Sequence, residues 1–129
     1  MTAGQFEIVT EPARSLLRIT MRGHWDLATV TGYERALREA VEAMYAGGCR
    51  RGTLLALVDA RAGTAQSQEV VASYKDRLGG ASLAPRKLAT LVSSALLKRQ
   101  VERIAIPNQR LFTDEDEAVA WLLSSDEAA

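Results

Sequence analysis

Apolar and polar positions alternate with a period of two at the start of the chain. Phe6, Ile8 and Thr10 fall on one side, Glu7 and Glu11 on the other, and Pro12 closes the run, because a strand interior tolerates proline badly. The same alternation returns from Ser15 to Arg22, with Leu17, Ile19 and Met21 on one face and Arg18, Thr20 and Arg22 on the other. Two short strands joined by Glu11-Pro12-Ala13-Arg14 predict an antiparallel hairpin with one covered face.

After Gly23 the period becomes helical. Val30, Tyr33, Leu37, Val41 and Met44 recur at steps of three and four, the spacing of a helix with one buried stripe. Asp26, Thr29 or Thr31 can cap its start, Thr31 having the capping-box partner Glu34 and Asp26 giving the longer helix. Gly47-Gly48 stops it. Thr53 to Ala60 is then a nearly unbroken apolar run, the pattern of a strand buried on both faces with helices on either side. A polar loop from Arg61 to Gln66 leads to a second helix through Val70, Val71, Tyr74 and Leu78, opening near Ser67 and closing at Gly79-Gly80. Leu88 to Ser93 predicts another strand, and Ser94 to Glu102 a third helix. Leu111-Phe112 predicts a last short strand, before a helix through Ala118 to Leu123. Asp114, Glu115, Asp116 and Glu117 would fill its first turn, where carboxylates complement the positive end of the helix dipole. Asp114 or Thr113 is its cap. The order β-β-α-β-α-β-α-β-α implies an α/β sandwich on a mixed, mostly parallel sheet of four or five strands with about four helices and right-handed crossovers.

Composition narrows the chemistry. A chain of 129 residues has room for one core, and we expect a single domain over 1–125 with a frayed tail at 126–129. Sixteen basic residues balance sixteen acidic ones, so no global field marks a nucleic-acid or membrane binder. One cysteine and one histidine exclude an internal disulfide and a His-based metal centre. No apolar run is long enough to span a bilayer, and the first residues are too polar for a signal peptide. The expectation is a cytoplasmic protein with no integral membrane segment, no cofactor and no nucleic-acid partner.

The remaining candidates sit after the strands. Ligands in open α/β sheets bind outside the carboxyl ends of the strands, which directs attention to Asp59 at the end of the central strand and to Arg61, Thr64, Ser67, Ser93 and Ser94 in the following loops. As helix caps and turn residues the hydroxyls need no ligand. Asp59 or His24 could serve as a general base, but neither has a nucleophile tied to it by spacing. In His24-Trp25-Asp26 the string reads as Asp26 capping a helix and Trp25 packing rather than as a base-and-acid pair, and Cys49 beside Arg50 and Arg51 reads as a passive loop thiol. Charge is uneven: Lys75 to Arg110 holds eight bases against two acids, and Thr113 onward holds six acids and no base. That contrast is an anion-binding face over the third helix, or an acidic helix lying beside a basic segment.

Three strings resemble a known family. Arg22-Gly23-His24-Trp25-Asp26 resembles a G-x-W-D strand exit, and Leu55-Ala56-Leu57-Val58-Asp59 a central strand ending in Asp. Arg110-Leu111-Phe112-Thr113-Asp114 through Ala118-Val119-Ala120-Trp121-Leu122 resembles a terminal R-x-F-x-D-x-x-E-A-x-x-W-L signature. Together they are similar to the STAS superfamily of anti-sigma-factor antagonists and sulfate transporters, and within it to small bacterial stand-alone (STAS/CRAL-TRIO-like) proteins. The resemblance implies helices mainly on one side of the sheet, whereas the two-sided burial of Thr53 to Ala60 implies both. It also implies a phosphorylated serine in a D-S-[SG]-G string at the second helix start. Gly63-Thr64-Ala65-Gln66-Ser67-Gln68-Glu69 departs from that string, so no phospho-acceptor is carried over to Thr64 or Ser67.

The functional expectation is a non-enzymatic regulatory or binding module. It would act through a protein partner, or a small anionic or lipidic ligand, at the carboxyl edge of the sheet. The alternatives are an enzyme using Asp59 or His24 as a general base, and a structural homodimer.

Overall fold

The computed structural model describes residues 5–50, 52–63, 66–78, 85–104 and 108–124. The elements are β1 (Gln5–Glu11), β2 (Leu16–Gly23), α1 (Leu27–Ala46), β3 (Leu55–Gly63), α2 (Gln68–Leu78), β4 (Lys87–Leu91), α3 (Ala95–Ile104), β5 (Gln109–Phe112) and α4 (Glu115–Leu123). The five strands form one sheet in sequential order, β1 antiparallel to β2 and every other neighbour parallel. This is the expected order and sheet type. Thr64, the Gly79-Gly80 helix stop and the tail at 126–129 lie outside the described residues.

Local chemistry accounts for the boundaries. The hairpin turns through a short 3-10 helix at Pro12–Arg14, and Ser15 takes a left-handed conformation at φ 54° before β2 begins. Asp26 is the cap of α1: its carboxylate accepts the Thr29 N–H at 2.8 Å, so the longer of the candidate helices forms. Its far end meets Gly48 at φ 110°, a conformation that side chains with a Cβ avoid. Asp114 caps α4 by accepting the Glu117 N–H at 3.1 Å.

Period-two burial along β3 sorts the helices onto two faces. Leu54, Ala56 and Val58 join Leu17, Ile19 and Leu88 under Val30, Tyr33, Val41 and Met44 of α1 and Val70 of α2. Ala60 and Val92 on the same side receive Leu97 of α3. Leu55 and Leu57 point the other way, where Leu16, Ala89 and Leu91 pack beneath Ala118 and Leu122 of α4. The one-sided packing implied by the STAS resemblance therefore does not hold at the centre of the sheet. Leu55 and Leu57 bring too much apolar surface to the second face to leave it in water. The hairpin keeps that face open, with Glu7, Val9 and Arg22 exposed.

Two polar devices fix α4. Lys87, 6% exposed, donates from Nζ to the Trp121 carbonyl at 2.9 Å and the Ser124 carbonyl at 3.1 Å, setting a cation at the negative end of the helix. At the other end Glu115 bridges Arg18 and Arg61 at 3.3 Å each. Glu115 of the acidic turn is thus compensated from β2 and β3, while Glu117 lines a surface hollow with Lys98 and Arg110 of the basic stretch.

Candidate functional site

At the carboxyl edge, parallel pairing with β2 carries β3 on to Gly63, with Arg22 opposite Ala62 and Gly23 opposite Gly63. Asp59 and Arg61 are accordingly strand residues, and the polar loop expected from Arg61 starts later. Both side chains lie on the α4 side of the sheet, alternating with Val58 and Ala60. Arg61 grips Asp59 through Nε at 3.0 Å and Nη2 at 2.8 Å. The guanidinium holds the Asp59 carboxyl below the usual carboxylate range, against the opposing effect of burial. A carboxylate stabilised in its charged form is a poor proton acceptor.

The edge hydroxyls divide. Ser93 donates to the Arg61 carbonyl at 3.0 Å, tying the end of β4 to β3 near the ion pair. Ser67 accepts the Val70 N–H at 3.2 Å and Ser94 the Leu97 N–H at 3.1 Å, so they cap α2 and α3. Asp59, Arg61 and Ser93 form one group, and Ser67 and Ser94 stand at separate helix starts. His24 is an exposed bridge residue just beyond β2. Among the described residues no group of three His, Cys, Asp or Glu side chains can hold a metal ion, and no helix is long and apolar enough to cross a membrane.

A second feature lies on the opposite face of the sheet. A partly open cavity of about 90 Å³ sits between the sheet and the α2–α3 pair. Its floor is Met21, Val58, Ala60, Leu88 and Thr90, its wall Trp25 and Tyr74, and its roof Val70, Leu97 and Val101. Trp25 packs edge-on against Tyr33 at 5.3 Å, and Tyr33 lies near-parallel to Tyr74 at 5.9 Å, so aromatic packing ties the wall together. Burial pushes the Tyr74 phenol up to about 12, which keeps it neutral at physiological pH. Among the described residues no charged side chain lines the cavity. Its polar members include Thr90, the Tyr74 phenol and the carboxamides of Gln66, Gln100 and Gln109.

Gln66 organises the mouth. Its Oε1 accepts the Trp25 N–H at 2.6 Å, and its Nε2 donates to the Gly23 carbonyl at 3.1 Å. Gly23 has φ 75°, where glycine is the favoured residue. The Gln66 main chain is held in turn by Gln100 of α3. None of these glutamines stands out in the sequence, since each falls in a loop, within a helix or at the first residue of a strand. Thr90 was the available signal, a lone hydroxyl in the apolar run Leu88 to Val92.

No protein-family model matches the chain, and no curated protein matches its sequence. Solved structures do share its fold. An uncharacterised DUF3478-family protein with a SpoIIAA-like fold from Shewanella loihica PV-4 superimposes with a TM-score of 0.67 at 17% identity, covering 95% of this chain and 97% of that one. An anti-sigma factor antagonist from Mycobacterium paratuberculosis gives a TM-score of 0.60 at 13% identity, covering 93% and 96%. The chain therefore has a STAS-like α/β fold, in agreement with the resemblance read from its three strings.

Proposed function

We propose that this chain is a cytoplasmic, non-enzymatic binding module that encloses a small, neutral, largely apolar molecule between its sheet and helices α2 and α3. The cavity bounded by Trp25, Val58, Val70, Leu88 and Leu97 carries this reading. Apolar lining with a few convergent polar groups is the usual build of a small-molecule site, and a lining without charged side chains among the described residues favours a lipidic ligand over an anionic one. The ion-paired state of Asp59 argues against its use as a general base.

A second reading is supported by the likeness to an anti-sigma factor antagonist. In it a protein partner docks at the carboxyl edge around Asp59, Arg61, Thr64, Ser67, Ser93 and Ser94. The two readings are compatible at Asp59 and Arg61, which face α4, whereas Ser67 and Ser94 start the helices that roof the cavity.

Trp25 is a built-in reporter. With Trp121→Phe to leave one indole, titration with 2-heptanone is expected to change Trp25 emission saturably. A linear response with no saturation would contradict the ligand reading, and retained binding of a co-purified protein would then favour the second.

A further inference from the structure

We infer that the ligand of this cavity carries one neutral hydrogen-bond-accepting oxygen, as in a ketone, ester or alcohol, and that Thr90 and Gln109 recognise it. The inference rests on the cavity being the binding site, and it names the chemical class that site takes.

Thr90 is the polar exception in the floor. It lies in β4, between β3 and β5, with 4% of its surface exposed and with Val58, Ala60 and Leu88 around it in the lining. Valine has nearly the same shape and brings no hydroxyl to satisfy, so packing alone gives no reason for threonine here. The hydroxyl donates to Gln109 Oε1 at 2.7 Å. Gln109 is opposite Leu88 in the β4–β5 register, which places its side chain beside Thr90 on the cavity face.

That hydrogen bond fixes which half of the Gln109 amide is spoken for. Oε1 is taken, and the two Nε2 hydrogens have no partner among the described residues. The other cavity carboxamides are committed at both ends: Gln66 to Trp25 and Gly23, and Gln100 to the Gln66 main chain. Gln109 is thus the lining amide whose Nε2 keeps both of its hydrogens for a ligand. These donors are reached by solvent, since no buried side-chain polar atom among the described residues lacks a partner. An accepting oxygen on an otherwise apolar molecule would take the place of water there. A carboxylate would enter with no cation among the described lining residues to offset its lost hydration.

Matched seven-carbon probes test this on the intact chain: 2-heptanone, heptane and heptanoate, titrated against wild type, Gln109→Met and Thr90→Val. We expect Gln109→Met to weaken 2-heptanone about five- to tenfold, the scale of one hydrogen bond, with heptane affinity unchanged or raised. The carbonyl stretch of bound 2-heptanone should lie lower in wild type than in Gln109→Met, a shift that a merely structural role would not produce. Thr90→Val should lower the ketone-to-alkane affinity ratio less, since it frees Oε1 without removing the donor. An unchanged ratio and stretch in Gln109→Met, or heptanoate binding wild type more tightly than 2-heptanone, would overturn the inference while leaving the cavity as a site. Failure of all three probes to bind wild type would overturn the cavity reading itself.

Discussion

Gln66 and Gln100 hold each other across the cavity mouth: the Gln66 N–H donates to Gln100 Oε1 at 2.9 Å, and Gln100 Nε2 donates to the Gln66 carbonyl at 2.7 Å. The pair joins the start of α2 to α3, and the Gln66 side chain extends the connection to Gly23 and Trp25. Removing Gln100 should therefore loosen α3 locally.

Gln100→Ala is expected to speed amide hydrogen exchange in α3 while leaving α1 as protected as in wild type. Such selective exchange is the signature of a sub-global opening. The global loss should be about 1–2 kcal/mol by urea unfolding, since two partly buried hydrogen bonds go. Equal acceleration in α1 and α3 would mean that the pair supports the whole fold and not the cavity mouth.

The two anchors of α4 should differ sharply in strength. Leu122 is fully buried, so Leu122→Ala should cost about 3–5 kcal/mol through lost burial and the space left behind. Glu115 joins Arg18 and Arg61 in pairs that are a third or more exposed, and Glu115→Gln should cost less than about 1 kcal/mol. Chemical denaturation of both variants measures the contrast, and comparable losses would show that the ion pairs dominate.

Arg61→Ala should raise the Asp59 titration toward the ordinary aspartate value, observable by carboxyl NMR. Because the folded value lies below the unfolded one, the ion pair stabilises the protein above the unfolded aspartate pKa of about 3.9. That contribution is lost as pH falls through the lowered folded value. The stability difference between wild type and Arg61→Ala should thus be small at neutral pH, under about 1 kcal/mol for a partly exposed pair, and vanish in strong acid. A difference that grows on acidification would contradict this assignment.

Much of the fold was legible because periodicity reports burial directly. The two-sided apolar run at β3 foretold helices on both faces, and the acidic turn before Ala118 foretold α4. The extent of β3 was not legible, since Arg61-Ala62-Gly63 reads as loop by composition and is strand only because β2 supplies pairing partners. The cavity was hidden for a different reason. Val70, Leu97 and Leu88 look like ordinary core positions, and a gap between them depends on how far α2 and α3 stand from the sheet. Period two did hold one unused clue. Asp59 and Arg61 alternate with Val58 and Ala60, so the edge polar group and the apolar floor had to fall on opposite faces.

The most direct test of the cavity as a binding site is an NMR search for contacts between 2-heptanone and the protein in solution. The account predicts intermolecular nuclear Overhauser effects from the ketone's methyl groups to the side chains of Met21, Val70 and Val101. Contacts confined to exposed apolar residues such as Val9, Leu96 and Leu123, with none to the lining, would contradict it.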